Sequence, residues 1–197
     1  MIGPEGVRRL TEAHLAALLP GELDRIRAAT PPVEVHNEPD VWPPNPKVFC
    51  SDKIPDRSDK LPAVMVGSCQ LLSLKAEESG IGATWYGRYS FDISALVVSP
   101  NAGGDTLATI GRDRLVLAVI KLLLRHPDTG HGVTLLTRDL TAETGPARED
   151  ETSRPLAAGV ITVQADTEEI FDDDSIPIES ITTVIDAVDA SQSLTTP

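Results

Sequence analysis

An α/β fold of the α+β kind is what this sequence predicts: a mainly antiparallel or mixed β-sheet packed by an N-terminal helix and one long central helix. Three observations carry that expectation. Apolar residues recur at helical spacing over residues 4–29 and 107–125. The odd positions from Tyr89 to Val97 are apolar, the period-two signature of a half-buried strand. Hydrophobic residues make up 41% of the chain but aromatic ones only 4%, so the core must be aliphatic. A length of 197 residues suits one domain with extensions rather than two domains. The expected division is a single domain over 1–170, with a Pro-rich excursion at 31–62, and an acidic then apolar extension over 171–197.

The N-terminal helix rests on Val7, Leu10, Leu15, Leu18 and Leu19, with Pro4 at a first-turn position. Pro20-Gly21 is expected to break or kink it, leaving a second short helix over Glu22–Ala28 before Pro31-Pro32. Residues 31–62 hold eight of the 16 prolines, too many missing donors for mostly regular structure. Short strands are expected at Val33–His36 and Lys47–Cys50. Trp42, Val48 and Phe49 are large apolar residues that a disordered loop lacks, so part of this segment should dock.

Residues 61–74 are rich in β-favouring side chains, with Gly67 as a bend or bulge. Residues 77–82 form a turn, and Thr84–Ser99 is the clearest strand. Residues 100–104 are a loop. Asp105 or Thr106 caps the helix Leu107–Arg125, whose Leu115, Ala118, Val119, Leu122 and Leu123 share a face. Pro127 stops it. Gly130-His131-Gly132 is a turn, Val133–Leu140 a strand, Thr141–Glu151 a polar loop around Gly145-Pro146, and Leu156–Ala165 a further strand. Ile181, Val184, Ile185 and Val188 fit helical spacing, while their β-branching favours a strand; both readings stay open. An apolar terminal segment of this kind should dock on its own body or on a neighbour.

With 17 Lys+Arg against 30 Asp+Glu, the formal charge is −13. That balance argues against a duplex binder and against a polybasic membrane-surface protein. No apolar run is long enough to span a bilayer, and the N-terminus lacks the pattern of a signal peptide. Cys50 and Cys69 read as thiols in a reducing cytoplasm. Scarce Lys with abundant Ala, Thr, Pro and Asp suggests a GC-rich genome.

The residues that might carry chemistry have plainer readings. His126, Asp128 and His131 lack the converging further ligand that zinc takes, and read as loop residues. Asp172-Asp173-Asp174 lacks the alternation of a calcium loop. Gly80-Ile81-Gly82 precedes a strand, the wrong context for a dinucleotide, and there is no phosphate loop or nucleophile elbow. Strand alternation explains Trp85-Tyr86-Gly87-Arg88-Tyr89 better than a base-stacking platform does. No catalytic residue, metal or cofactor is expected.

The run Tyr89-Ser90-Phe91-Asp92-Ile93-Ser94-Ala95-Leu96-Val97-Val98 leads into a helix that begins Arg112-Asp113-Arg114-Leu115 and ends at His126-Pro127. A strand over 132–140 and Arg154-Pro155-Leu156-Ala157-Ala158-Gly159-Val160-Ile161-Thr162-Val163-Gln164-Ala165 follow. This pattern, covering about 80–166, resembles the tail terminator proteins of long-tailed, non-contractile bacteriophages. The resemblance implies an α/β subunit of a hexameric ring in the virion neck. Such a ring stops tail-tube polymerisation and joins tail to head. The implied partners are further copies of the chain, the tail tube protein and a head-completion or connector protein, with DNA passing through the lumen unbound. Another neck component is the nearest alternative; a small α/β enzyme or a monomeric binding module is the alternative of another class. The Pro-rich segment and the C-terminal extension depart from a minimal member and are expected to reach neighbouring subunits. Trp42, Val48, Phe49, Ile176, Ile178, Ile181 and Ile185 are the expected contact residues, and truncation after Phe171 is expected to weaken assembly.

Overall fold

In the computed structural model, residues 3–30, 42–43, 45–53, 61–76, 84–99, 105–149 and 154–170 are described. The element order is α1 (Gly3–Ala29), β1 (Lys47–Cys50), β2 (Ala63–Ala76), β3 (Thr84–Val98), α2 (Asp105–Arg125), β4 (Val133–Thr144), β5 (Arg148–Glu149) and β6 (Pro155–Ile170). The sheet runs β1-β2-β3-β6-β4, with the two-residue β5 also paired to β6. β1 is parallel to β2 and every other pairing is antiparallel, so the sheet is mixed. The α+β class expected from the sequence is the class observed.

α1 crosses Pro20 without a break. Leu15 and Leu19 before the proline and Leu23 and Ile26 after it are all buried in one core, while Pro20 itself is exposed. Burial of that continuous stripe outweighs the single backbone bond that proline forfeits, so the two expected helices are one. α2 begins at Asp105, so Asp105 and Thr106 lie inside the helix rather than ahead of it. It closes with His126 N–H donating to Leu122 O at 2.8 Å, immediately before Pro127.

β3 and β6 pair without interruption from Thr84↔Ile170 to Val98↔Leu156. Tyr89, Phe91, Ile93, Ala95, Ile161, Val163 and Ala165 point from these two strands into the core. α1 packs over β1 and β2, α2 over β3, β6 and β4, and the helices pack on each other. The helical layer therefore covers one face, as one-sided burial along an antiparallel strand requires. On the other face Arg88 binds Asp166 in a fork, at 2.7 and 2.9 Å, and Thr162 Oγ1 donates to Asp92 Oδ1 at 2.6 Å.

Two polar groups tie the helices in place. Glu22, buried at the α1–α2 contact, accepts from Arg125 Nη1 at 2.6 and 2.5 Å, with Arg25 at 3.6 Å. The buried Arg112 binds Asp113 and donates to Gly145 O, holding the end of β4 to α2.

β4 and β6 both run further than the sequence suggests. Thr141–Thr144 pair with Thr162–Gly159, and Asp166–Ile170 pair with Arg88–Thr84. The residues Thr141–Thr144 are exposed on both sides and so carry no alternation. Backbone pairing with a long neighbour extends them. The expected strand at Val33–His36, the turn at 77–82 and the helix-or-strand segment after Ile178 lie outside the described residues.

Candidate assembly surface

A stretch of strand without a second neighbour starts where β1 stops. β1 pairs with Ala63–Val66 only. Among the described residues, β2 then continues for ten residues, Gly67–Ala76, with β3 as its one partner strand. A corner of polar bonds marks the transition. Arg8 of α1 donates to Asp52 Oδ1 at 3.1 Å and to Val66 O at 3.4 Å, and Ser68 Oγ donates to the same Asp52 oxygen at 2.9 Å. The ladder slips between Val66 and Cys69 and again between Leu71 and Ser73. A Cβ on Gly67 would stand 3.2 Å from Asp92 O, so the bulge expected here sits against tight backbone.

Beyond this corner the apolar side chains are uncovered. Leu71 is 42% exposed, Leu72 47%, Leu74 37% and, across on β3, Tyr86 41%. No acidic residue occurs from Gly67 to Ala76, in a chain that carries 30. An open strand edge with leucines beside it is a template for pairing with another chain, and native proteins leave one where an interaction uses it.

The expected contact residues distribute differently. Trp42 is 5% exposed and belongs to the core of its own chain, with Arg114 Cζ 4.2 Å from its ring centroid. This corrects its expected place at a subunit interface: the ring is spent on the interior and on a cation–π contact. Val48 is partly buried against the same core through β1, and Phe49 is half-buried in that strand. The part of the Pro-rich excursion that is described is thus anchored to its own body. Ile176, Ile178, Ile181 and Ile185 lie outside the described residues. Leu71, Leu72 and Leu74, which the sequence reading counted simply as strand material, form the exposed patch. The doublet Leu71-Leu72 breaks period two, and that is the one sequence signal for a strand leaving its core.

The other candidates are quieter. Asp128 Oδ1 accepts from Gly130 N at 2.7 Å, and His14 Nε2 contacts His126 O at 2.8 Å. Among the described residues, no three His, Cys, Asp or Glu gather as metal ligands. In the aromatic run, Tyr89 is buried and Arg88 is held charged by the hydrogen bond and proximity of Asp166, so neither is offered to a nucleic-acid base. A cavity of about 100 Å³ lies beside Glu5, Arg8, Arg9 and Cys50. Burial pushes the Cys50 thiol up to about 11, helped by its hydrogen bond to Glu12, and burial does the same to Cys69. Thiols held neutral in this way are poor nucleophiles at neutral pH. No helix among the described residues is long and apolar enough to cross a membrane. Neither the models of known protein families nor the curated proteins give a match to this chain.

Proposed function

We propose that the chain is a structural subunit of a phage neck, a tail terminator that assembles into a hexameric ring on the head-proximal end of the tail tube. One observation carries the reading. Among the described residues, the chain leaves open a ten-residue strand edge that is free of acidic side chains and includes Leu71, Leu72 and Leu74, on a molecule of net charge −13. Such a surface fits an assembling subunit better than a solitary one. The strand–helix–strand–strand order over about 80–166, which carries the sequence resemblance, agrees with this. A strongly acidic subunit also suits a lumen through which DNA slides without being held. A substrate site draws no support from the cavity beside Cys50, whose 100 Å³ compares with about 300–1,000 Å³ for small-molecule pockets.

The test is light scattering of the purified protein, followed by negative-stain imaging alone and with polymerising tail tube protein. The expected species is a ring of six times 21.0 kDa, about 126 kDa. It should cap one end of each tube and halt its growth. Binding to head particles with no effect on tubes would transfer the chain to the connector side of the neck. A chain that neither assembles nor caps tubes removes the reading.

A further inference from the structure

Among the described residues, the sheet leaves two long stretches of strand edge without a partner, at opposite corners. On one side Gly67–Ala76 of β2 extends past β1. On the other side β4 is the last strand, and the residues after α2 cover only its beginning. Thr129 N–H donates to Val133 O at 3.0 Å, Leu135 N–H donates to Pro127 O at 2.7 Å, and Asp128 bridges Thr134. From Leu136 to Thr144 the outer side of β4 has no ladder partner among the described residues; the ladder to β6 slips between Leu136 and Thr141, so the regular part of this edge is Thr141–Thr144. The pairings across β3 and β6 place Leu71 in one row with Tyr89, Ala165 and Leu135, and Val66 in one row with Ile93, Ile161 and Ala142. The open stretch of β2 therefore points to the end where β4 is covered. That of β4 points to the end where β1 covers β2.

Resting on the ring-forming reading above, the geometry points to a single joint between copies: the open edge of β2 in one subunit adds to the open edge of β4 in the next. The strands alternate in direction from β2 through β3 and β6 to β4. A neighbour that continues the sheet thus brings its β4 antiparallel to β2, the pairing that needs no reversal of either chain. The two edges are different surfaces, so the contact is heterologous and propagates until rotation closes it into a ring.

Charge selects the same partner. Two copies of net charge −13 repel each other over most of their surface. The β2 edge presents no acid and one cation, Lys75, whereas residues 136–144 carry Arg138, Asp139 and Glu143, a net of one negative charge. A β2-to-β2 contact would gain nothing from the opposite charge of the two edges and would leave the β4 edge open. A second copy of this chain in head-to-tail register matches both edges.

Two half-blocked variants test the joint. Leu72→Glu/Leu74→Glu turns the β2 edge negative against a neighbour's β4 edge, and Thr141→Lys/Glu143→Lys turns the β4 edge positive against Lys75; all four positions are exposed. Wild type is expected to assemble, and each variant alone to stay at 21.0 kDa. Their mixture should assemble, to at least a dimer of twice that mass, about 42 kDa, through the intact pair of edges. Assembly of either variant alone into rings overturns the joint while leaving the ring reading in place. Dimerisation of the β4 variant by itself, with no gain on mixing, assigns the contact to β2 against β2 and also overturns it. A wild type that stays monomeric at every concentration overturns it too, and the tube-capping assay then judges the ring reading separately. Amide exchange on wild type supplies a readout that needs no variant. Protection of both 67–76 and 136–144 should rise together with concentration, and protection of only one segment excludes the joint.

Discussion

Cys50 and Cys69 show how position sets reactivity. Both thiols are half-buried, and burial is the main cause that lifts each from 9.0 to about 11. At pH 8 such a thiol is about one part in a thousand thiolate, against about one in ten for an unperturbed group. Iodoacetamide labelling of the folded protein should therefore rise about tenfold per pH unit from pH 8 and level off only near pH 11, whereas the denatured chain levels off near pH 9. Because the folded values are raised, the associated stability is fully present below about pH 9 and lost as pH climbs through about 11. A labelling plateau near pH 9 in the folded protein would contradict the burial seen for both residues. Cys69 was legible in the sequence as a thiol in a strand; that it lies just past the corner where β1 ends was not.

At the scale of elements, β6 comes close to α2 at Gly159. A Cβ on Gly159 would meet Val116 Cγ2 at 2.6 Å, with Thr144 Cγ2 and Arg112 Cδ at 3.4 and 3.5 Å. Gly159→Ala should lower stability by about 1–3 kcal/mol in urea melts, because the packed helix face must give way. Gly145→Ala, with nothing within 4 Å of its added carbon, is the matched control and should change stability by less than about 0.5 kcal/mol. The sequence showed a glycine in a strand and no more, since the contact depends on how α2 lies across the sheet. α1 teaches the same lesson from the other side: Pro20 reads as a stop, yet one buried stripe passes it on both sides.

For the whole molecule, net charge and the open edges act against each other. A charge of −13 per copy opposes assembly over a distance that salt shortens, from a Debye length of about 30 Å at 0.01 M to about 8 Å at 0.15 M. The assembled fraction should therefore increase between low and physiological ionic strength at fixed concentration, read by light scattering. Assembly that weakens with salt would mean the contact is chiefly ionic, contrary to an edge lined by Leu71, Leu72 and Leu74.

The sequence by itself determined the α+β class, both helices, the long period-two strand over Thr84–Val98 and the bulge near Gly67. Each of these follows from local spacing or from the backbone freedom of single residues. Only the tertiary structure decided that α1 is unbroken, that Trp42 is an interior residue and that β4 and β6 outrun their apolar patterns. The same holds for the uncovered outer half of β2. Those outcomes depend on what lies beside each segment in space, and an edge is a property of the neighbours a strand lacks.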